Sequence, residues 1–177
     1  MTTITLDDYN DKNSEIQNSP RMLLSRTNIQ VYFDGLCQPV NPGRTACYAF
    51  IVKNGDHTIH TKYRLAADNS TNNVAEYTGL IRALQWLIAN NYKNENIVIK
   101  GDSQLVIQQI KRNFKVKASN IIPLYRDAMS LIAKFKHIQF ELIPREENKE
   151  ADKLANYAYT KVVADNPNLE KSQPIHD

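Results

Sequence analysis

The stretch IQVYFDGLC, residues 29–37, opens the folded part of the chain and contains an acid in an unusual place. Ile29, Val31 and Phe33 alternate with their neighbours as one buried face of a β-strand should. Asp34 continues the same run, at or near the predicted end of the strand, with a glycine behind it. A carboxylate in a strand is uncommon, and its desolvation costs free energy unless something compensates for it. We therefore expect Asp34 either to form an Asp-Gly turn or to hold a ligand.

The hydrophobic periodicity of the sequence predicts nine elements, of which this strand is the first. Strands are predicted at 29–37, 45–53, 57–66, 96–100 and 137–143, and helices at 73–90, 103–113, 120–135 and 149–161. Short turn sequences, NPG and NGD, separate the first three strands, which predicts an antiparallel meander. The run NIVIK at 96–100 is apolar on both faces, as is typical of a central strand under helices. The order βββαβααβα indicates a three-layer α/β fold with a five-stranded mixed sheet flanked by helices.

The length of 177 residues predicts one domain with tails. Residues 1–28 are polar and aperiodic and predict a flexible N-terminal extension, residues 29–161 form the domain, and residues 162–177 predict a C-terminal tail. With 42% apolar residues the domain can build its own core. No run approaches the roughly 18 apolar residues of a membrane span, and the first residues lack a secretory pattern. We expect a soluble cytoplasmic protein with no membrane partner.

The charge is unevenly distributed along the chain. The net charge is only +3, yet residues 31–161 hold 18 Lys and Arg against 12 Asp and Glu. A moderately basic domain suits a polyanionic partner without establishing one.

Three less common side chains have ordinary explanations. Cys37 and Cys47 fit neither a zinc pattern nor a disulfide framework, so we expect two buried thiols, with a cross-strand bridge as the alternative. Trp86 lies among apolar positions of the first predicted helix, which predicts a packing role.

Four acids stand at predicted ends of elements, and each has a structural explanation. Asp34 has the turn explanation given above. Glu76 stands three residues after Asn73, which is the spacing of a capping box. Asp102 follows a buried strand and fits a helix N-cap, and Asp152 lies in the first turn of the last helix, where the helix dipole favours an acid.

Taken together, the four acids point to a metal site. Four carboxylates meeting at one edge of a sheet would repel one another, and each pKa would rise unless cations neutralised them. Mg²⁺ binds a few carboxylates together with phosphate oxygens of a substrate. Zinc and copper favour histidine or cysteine ligands, and the four acids do not stand in a pattern of such residues. In a basic domain, such a cluster indicates phosphodiester chemistry with two metal ions roughly 3.5–4 Å apart.

Four motifs in order carry a family resemblance. They are YFDG at 32–35, STNNVAEY at 70–77, GDSQLVI at 101–107 and PREENKEADKLAN at 144–156. Over about residues 29–161 the chain resembles type 1 ribonuclease H, in the compact branch without the basic protrusion. The resemblance implies the ribonuclease H-like fold and an endonuclease that uses two Mg²⁺ ions, with Mn²⁺ as a substitute. It would hydrolyse the RNA strand of RNA/DNA hybrids and leave 5′-phosphate products.

The resemblance also assigns residues to roles. The catalytic and metal-binding positions it implies are Asp34, Glu76, Asp102 and Asp152. The substrate-binding positions it implies are Asn41, Thr71, Asn72, Asn73, Gln104 and Asn148, to which Arg145 is added as the nearest basic residue in the last loop. Amides can donate to and accept from the 2′-hydroxyls that a hybrid displays in its minor groove. Singly, such amides are also frequent in turns and on helix surfaces.

The chain departs from the family pattern in two places. Many relatives have a histidine in the loop before the fourth acid, but this loop reads PREENKE. Arg145 could assist turnover there, or simply pair with a neighbouring glutamate. The long basic protrusion is also missing, although KRNFKVK at 111–117 places four cations around Phe114. This run either contacts the DNA strand electrostatically or ends a solvated helix with Phe114 tucked into the core.

Other functions are compatible with the same sequence. A nuclease of the same fold that cuts double-stranded RNA or DNA junctions is one alternative, and the TNN amides argue against a pure DNA substrate. A non-catalytic hybrid-binding module is another, although all four acids are present. An actin-like sugar kinase shares the strand and Asp-Gly start but needs two such domains. We expect a monomer acting on RNA/DNA hybrid, with double-stranded RNA as a further substrate to test.

Overall fold

The computed structural model describes residues 28–39, 41 and 44–166. The strands are β1 (Asn28–Gln38), β2 (Arg44–Asn54), β3 (His57–Ser70), β4 (Asn96–Gly101) and β5 (His137–Leu142), and the helices are α1 (Asn72–Ala89), α2 (Gln104–Ile110), α3 (Ile122–Ile132) and α4 (Lys149–Asp165). Two short 3-10 turns, Tyr92–Asn94 and Arg145–Glu147, are added to the predicted elements. The predicted order is confirmed. Apart from Asn28, the predicted N-terminal extension lies outside the described residues.

The five strands form one mixed sheet in the order β3-β2-β1-β4-β5. β1 pairs antiparallel with β2, and β2 with β3, so the predicted meander is confirmed. β4 lies between β1 and β5 and runs parallel to both, which confirms its internal position. The last β1–β4 pair is Tyr32 with Lys100, after which β4 ends at Gly101 while β1 continues to Gln38. β1 extends one residue beyond its predicted bounds at each end, and Asp34 lies inside the strand, four residues before Gln38.

Helices cover both faces of the sheet and create three layers. α1, α2 and α3 pack on one face and bury the largest core cluster, which includes Phe33, Tyr77 and Ile107. α4 packs on the other face through Ala155 and Ala158. Trp86 is half-buried against the main core, in agreement with its predicted packing role.

The predicted helices differ from the observed ones mainly at their C-terminal ends: α2 and α3 each end three residues early, and α4 ends four residues late. α2 ends at Ile110 because Arg112 adopts a left-handed backbone conformation (φ +63°), which an α-helix cannot continue through. α4 runs on to Asp165, so the predicted boundary at 161 is too early, and the predicted tail beyond 166 lies outside the described residues. Among the helices described, none combines the length and apolar character needed to cross a bilayer.

The two cysteines do not form a disulfide. Cys37 packs with Ala46 and Ala75 on the α1 side of the sheet, whereas Cys47 packs with Ala155 on the α4 side. Because successive side chains of a strand point to opposite faces, this register places the two thiols on different sides of the sheet. The predicted buried thiols are confirmed, and the alternative bridge is wrong.

Candidate active site

The register of the two central strands brings the first and third predicted acids together. Continuing the parallel pairing of Tyr32 with Lys100 by two residues places Asp34 beside Asp102. Asp34 still pairs with β2, through Ala49, so the strand holds it rigidly. The turn explanation of Asp34 is therefore wrong. Asp102 follows the end of β4, and the N-cap of α2 is Ser103, so the N-cap explanation of Asp102 is also wrong.

The second acid reaches the same place from helix α1. The N-cap of α1 is Thr71, whose hydroxyl accepts a hydrogen bond from the Val74 N–H at 3.2 Å. The capping-box explanation of Glu76 is therefore wrong. The first turn of α1 passes directly over Gly35, where a Cβ atom would lie 2.3 Å from the Glu76 backbone nitrogen. The glycine after Asp34 thus permits the close approach that brings Glu76 to Asp34.

These three acids form one tight cluster. One carboxylate oxygen from each of Asp34, Glu76 and Asp102 lies within 4.8 Å of the other two. Asp34 is 7% exposed and Glu76 is 9% exposed. Burial and the neighbouring charge of Asp102 raise the pKa of Asp34 to about 7, and burial with the charges of Asp34 and Asp102 raises the pKa of Glu76 well above its usual value. Glu76 Oε2 is buried without a hydrogen-bond partner among the described residues.

Asn148 supports this cluster from below. Its side-chain Nδ2 donates to the Phe33 carbonyl at 2.9 Å and to Asp102 Oδ1 at 2.8 Å. Asn148 is only 1% exposed. Its position differs from that of a substrate-contacting amide, and we interpret it as the residue that ties the loop before α4 to β1 and orients Asp102. No sequence pattern signalled this role, because it depends on a contact between residues 115 positions apart.

The fourth predicted acid stands next to the cluster. Asp152 lies in the first turn of α4, as predicted, and Arg145 Nη2 contacts its Oδ1 at 2.9 Å. Asp152 does not belong to the set of mutually close carboxylates, although its charge contributes to the raised pKa of Asp34. The Arg145 side chain is 75% exposed, so this ion pair contributes little stability and is cheap to break.

The predicted recognition amides gather at the start of α1. The Asn41 side-chain oxygen accepts from the Asn72 N–H at 3.1 Å, and the Asn72 side-chain oxygen accepts from the Cys37 N–H. Asn73 is exposed beside them, and Gln104 is exposed at the first position of α2. Asn72 and Asn73 therefore lie at the start of α1, the helix that carries Glu76. Gln104 lies at the start of α2, two residues after Asp102.

Residues 111–117, named here the basic knuckle, follow α2. The N–H groups of Asn113 and Phe114 both donate to the Gln108 carbonyl. Buried Gln109 accepts from the Tyr77 hydroxyl at 2.8 Å and donates to the Lys115 carbonyl at 3.4 Å. Phe114 is 45% exposed, so the expectation that it tucks into the core is wrong. The knuckle is thus anchored to the core with its aromatic ring and cations outside.

The chemistry of the cluster matches a site for hard divalent cations. Three carboxylates at this distance, two of them buried, repel one another when they are ionised. A bound cation would compensate this repulsion and would also give the buried Glu76 Oε2 a partner. Oxygen-only ligands favour Mg²⁺ or Mn²⁺ over softer metals. The residues present therefore fit the expected metal.

Comparison with known proteins agrees with this geometry. The family described as "Reverse transcriptase-like" matches residues 32–158. The "Bifunctional protein Rv2228c" of Mycobacterium tuberculosis is 38% identical over 119 residues, covering 67% of this chain and 32% of the relative. "Ribonuclease HI" of Halobacterium salinarum is 32% identical over 130 residues, covering 73% of this chain and 63% of the relative. The chain thus spans about a third of the length of the mycobacterial relative.

Two solved structures share the fold. The N-terminal RNase H domain of rv2228c from Mycobacterium tuberculosis superimposes with a TM-score of 0.71 at 30% identity, covering 78% of this chain and 98% of that one. LC11-RNase H1, isolated from compost by a metagenomic approach and solved in complex with an RNA/DNA hybrid, has a TM-score of 0.69 at 30% identity, covering 76% and 99%. The chain therefore belongs to the reverse transcriptase-like family, and the residues that the structure describes form a ribonuclease H-like domain of type 1.

Proposed function

We propose that this protein is a divalent-metal-dependent endoribonuclease that hydrolyses the RNA strand of RNA/DNA hybrids. The observation that carries the proposal is the cluster of Asp34, Glu76 and Asp102 with ligand oxygens within 4.8 Å of one another. It is supported by a relative named Ribonuclease HI and by a similar structure that holds an RNA/DNA hybrid. Because the chain spans only part of its curated relatives, activity and substrate are proposed for this chain on its own residues.

The metal-binding residues in this proposal are Asp34, Glu76, Asp102 and Asp152. These residues would hold a pair of Mg²⁺ ions, or Mn²⁺ in their place, and the ions would supply Lewis-acid chemistry for hydrolysis that leaves a 5′-phosphate on the product. Asp34 and Glu76 provide negative charge from rigid, buried positions. Asn148 keeps Asp102 aligned with them through its 2.8 Å hydrogen bond.

Arg145 regulates the availability of the fourth acid in this proposal. It neutralises Asp152 while that carboxylate stands beside the cluster. Because the pair is exposed, Arg145 can release Asp152 at little cost in free energy. The freed guanidinium then carries a positive charge at the edge of the site, where it would help a phosphate group to leave during repeated turnover.

The amides supply the preference for an RNA strand. Asn72 is held by Asn41 and by the Cys37 backbone, so its orientation is preset before substrate arrives. Asn73 and Gln104 remain exposed and carry both donors and acceptors, which matches the 2′-hydroxyl of RNA. Thr71 is partly used as the helix cap but stands at the same surface.

The basic knuckle supplies electrostatic affinity for the other strand. Its cations are exposed, and the chain has no acid between residues 103 and 126. α2 connects the knuckle to Asp102 and is seven residues long, or about 10 Å at 1.5 Å per residue. A duplex lying over Gln104 is therefore wide enough to reach the knuckle with its second phosphate backbone. Since one chain supplies every part of the site, we also propose that the enzyme acts as a monomer, and the cytoplasmic location stays a prediction.

The experiment that tests the function compares cleavage of end-labelled RNA/DNA hybrid, double-stranded RNA and double-stranded DNA, each with Mg²⁺ or with EDTA. We expect metal-dependent cutting of the RNA strand of the hybrid, lost in Asp102→Asn. Asp127→Asn, an exposed acid on α3, is the matched control and should cut normally. Cutting that survives Asp102→Asn would reassign the site, and cutting of double-stranded RNA in preference to hybrid would change the proposed substrate.

A further inference from the structure

A groove without an assigned role runs between helix α1 and the edge strand β3. It has a volume of about 580 Å³, within the range of small-molecule sites. Its floor is formed by Tyr48 and Phe50 of β2, and Trp86 closes one side. We name it the α1–β3 groove.

The groove is separate from the carboxylate cluster. On α1 it is lined by Thr78, Arg82, Gln85, Trp86 and Ala89. At 100° per residue, four of these five positions lie roughly 120–180° around the helix axis from Glu76, and Trp86 lies roughly 80° away. A ligand in the groove therefore occupies a surface that α1 separates from Glu76.

Three cations surround the groove without a balancing acid. Lys62 and Arg64 enter it from β3 and Arg82 enters from α1, and no Asp or Glu is among the described residues that line it. None of the three cations belongs to an ion pair within the described part of the chain. A concave surface lined by charges of one sign focuses the field and favours a counter-ion.

The arginine on α1 is held in place for binding. Arg82 Nη1 donates to Gln85 Oε1 at 3.0 Å. Arg82 and Arg64 also act on the buried Tyr48 hydroxyl, where they oppose the rise in pKa that burial causes. Arg64 lies opposite Tyr48 in the pairing of β2 with β3, and Arg82 lines the same groove from α1. Guanidinium groups bind phosphate oxygens in a bidentate manner.

We propose that the α1–β3 groove binds the phosphate monoester of a nucleotide, with the phosphate between Arg64 and Arg82 and the base against the apolar wall. A monoester carries about −1.5 to −2 charges near neutral pH, which suits three cations better than the single charge of a phosphodiester. The apolar wall includes Ala66 and Trp86. Trp86 also stacks on His60 at 4.5 Å and on Tyr92 at 5.7 Å, so its ring edge is the part assigned to the groove. The source is either a free nucleotide or the 5′-phosphate end of a short single strand.

Trp86 is the only tryptophan of the chain, so its fluorescence reports on the groove. The test titrates the wild-type protein in EDTA with uridine 5′-monophosphate, with uridine, and with short single-stranded oligoribonucleotides that carry a 5′-phosphate or a 5′-hydroxyl. We expect a saturable change in emission with the phosphorylated ligands and none with uridine or the 5′-hydroxyl strand. Equal affinity for the two phosphorylated ligands identifies the free nucleotide, whereas tighter binding of the strand identifies a strand end.

Variants separate the groove from other anion sites. Arg64→Gln with Arg82→Gln should weaken binding about tenfold or more, because two charge-assisted hydrogen bonds are removed. Lys134→Gln with Lys136→Gln, exposed cations near the far edge of the sheet, should leave binding unchanged. Thermal unfolding checks that both pairs of substitutions leave the fold intact.

Binding measured by equilibrium dialysis provides a second readout that does not depend on Trp86. No binding of uridine 5′-monophosphate at millimolar concentration, equal binding of uridine, or binding that survives the Arg64 and Arg82 substitutions would each overturn the proposal. Because all titrations are made without metal and without cleavage, their outcome is independent of the nuclease assignment.

Discussion

Replacing Asp34 by asparagine should stabilise the metal-free protein while abolishing cleavage. The pKa of Asp34 is raised from 3.8 to about 7, chiefly because the side chain is buried and secondly because Asp102 is close. A shift of this size corresponds to about 4 kcal/mol of unfavourable free energy for the ionised carboxylate in the folded state. An amide of the same shape carries no charge, so Asp34→Asn removes this penalty.

The effect depends on pH in a defined direction. Below about pH 4 the carboxyl is protonated in both the folded and the unfolded chain, and no penalty exists. Between about pH 4 and pH 7 the folded protein keeps a proton that the unfolded chain has released, so stability falls as the pH rises. Above about pH 7 the full penalty is present and the curve levels off.

The assay is thermal unfolding of wild type and Asp34→Asn in EDTA at about pH 4 and about pH 8. We expect the variant to melt on the order of 10 °C higher at the higher pH and almost equally at the lower pH. Adding Mg²⁺ should raise the melting temperature of wild type and close much of the gap, because an ion that binds only the folded state stabilises it. Asp127→Asn, an exposed acid on α3, serves as the matched control and should show no such gain.

Two results would refute this reasoning. If Asp34→Asn melts at or below the wild-type temperature in EDTA at about pH 8, the carboxylate is not under the electrostatic strain that the structure indicates. If the variant gains the same stability at both values of pH, the gain comes from packing and not from the removed charge.

Four further substitutions test other parts of the structure. Gly35→Ala should destabilise the protein by about 3 kcal/mol or more in urea unfolding, because the added Cβ meets the backbone of α1; a neutral result would contradict the close approach. Asn148→Ala should cost about 1–3 kcal/mol and lower kcat, since the Phe33 carbonyl loses a buried partner. Arg145→Ala should slow multiple turnover more than a single turnover in quenched-flow assays, and an unchanged rate would remove its proposed role. Replacing the four cations of the basic knuckle by glutamine should raise KM. A plot of log KM against log salt concentration should also lose about one unit of slope for each phosphate that the variant no longer neutralises. An unchanged slope would place the duplex elsewhere.

The periodicity of the sequence was sufficient for the architecture. Alternation in β1 and the 3.6-residue spacing in α1 report which side of each element is buried, and this local information carries the order of strands and helices. It was less reliable at boundaries. α2 stops early because Arg112 turns into a left-handed conformation, which no hydrophobic pattern signals.

The candidate site was predicted from motifs. The alternative explanations of its acids, as turn or helix-cap residues, could be excluded only from contacts between residues far apart in the chain. The cap of α1 proved to be Thr71, which left Glu76 without a capping role. Asp34 proved to lie inside β1 at a position that pairs with β2 alone, just past the end of the pairing between β1 and β4. Both outcomes depend on pairings between residues far apart in the chain, which a local reading cannot supply.

The amino-acid sequence was enough to establish the element order, the basic character of the domain and the identity of four candidate acids, because each of these is written in local spacing or residue type. Three features emerged from packing alone: the approach of α1 over Gly35, the burial of Asn148 beneath Asp102, and the opening of a cationic groove along β3. The physical reason is that burial and charge coupling are properties of the space between elements. That space exists only after strand register and helix packing have been set.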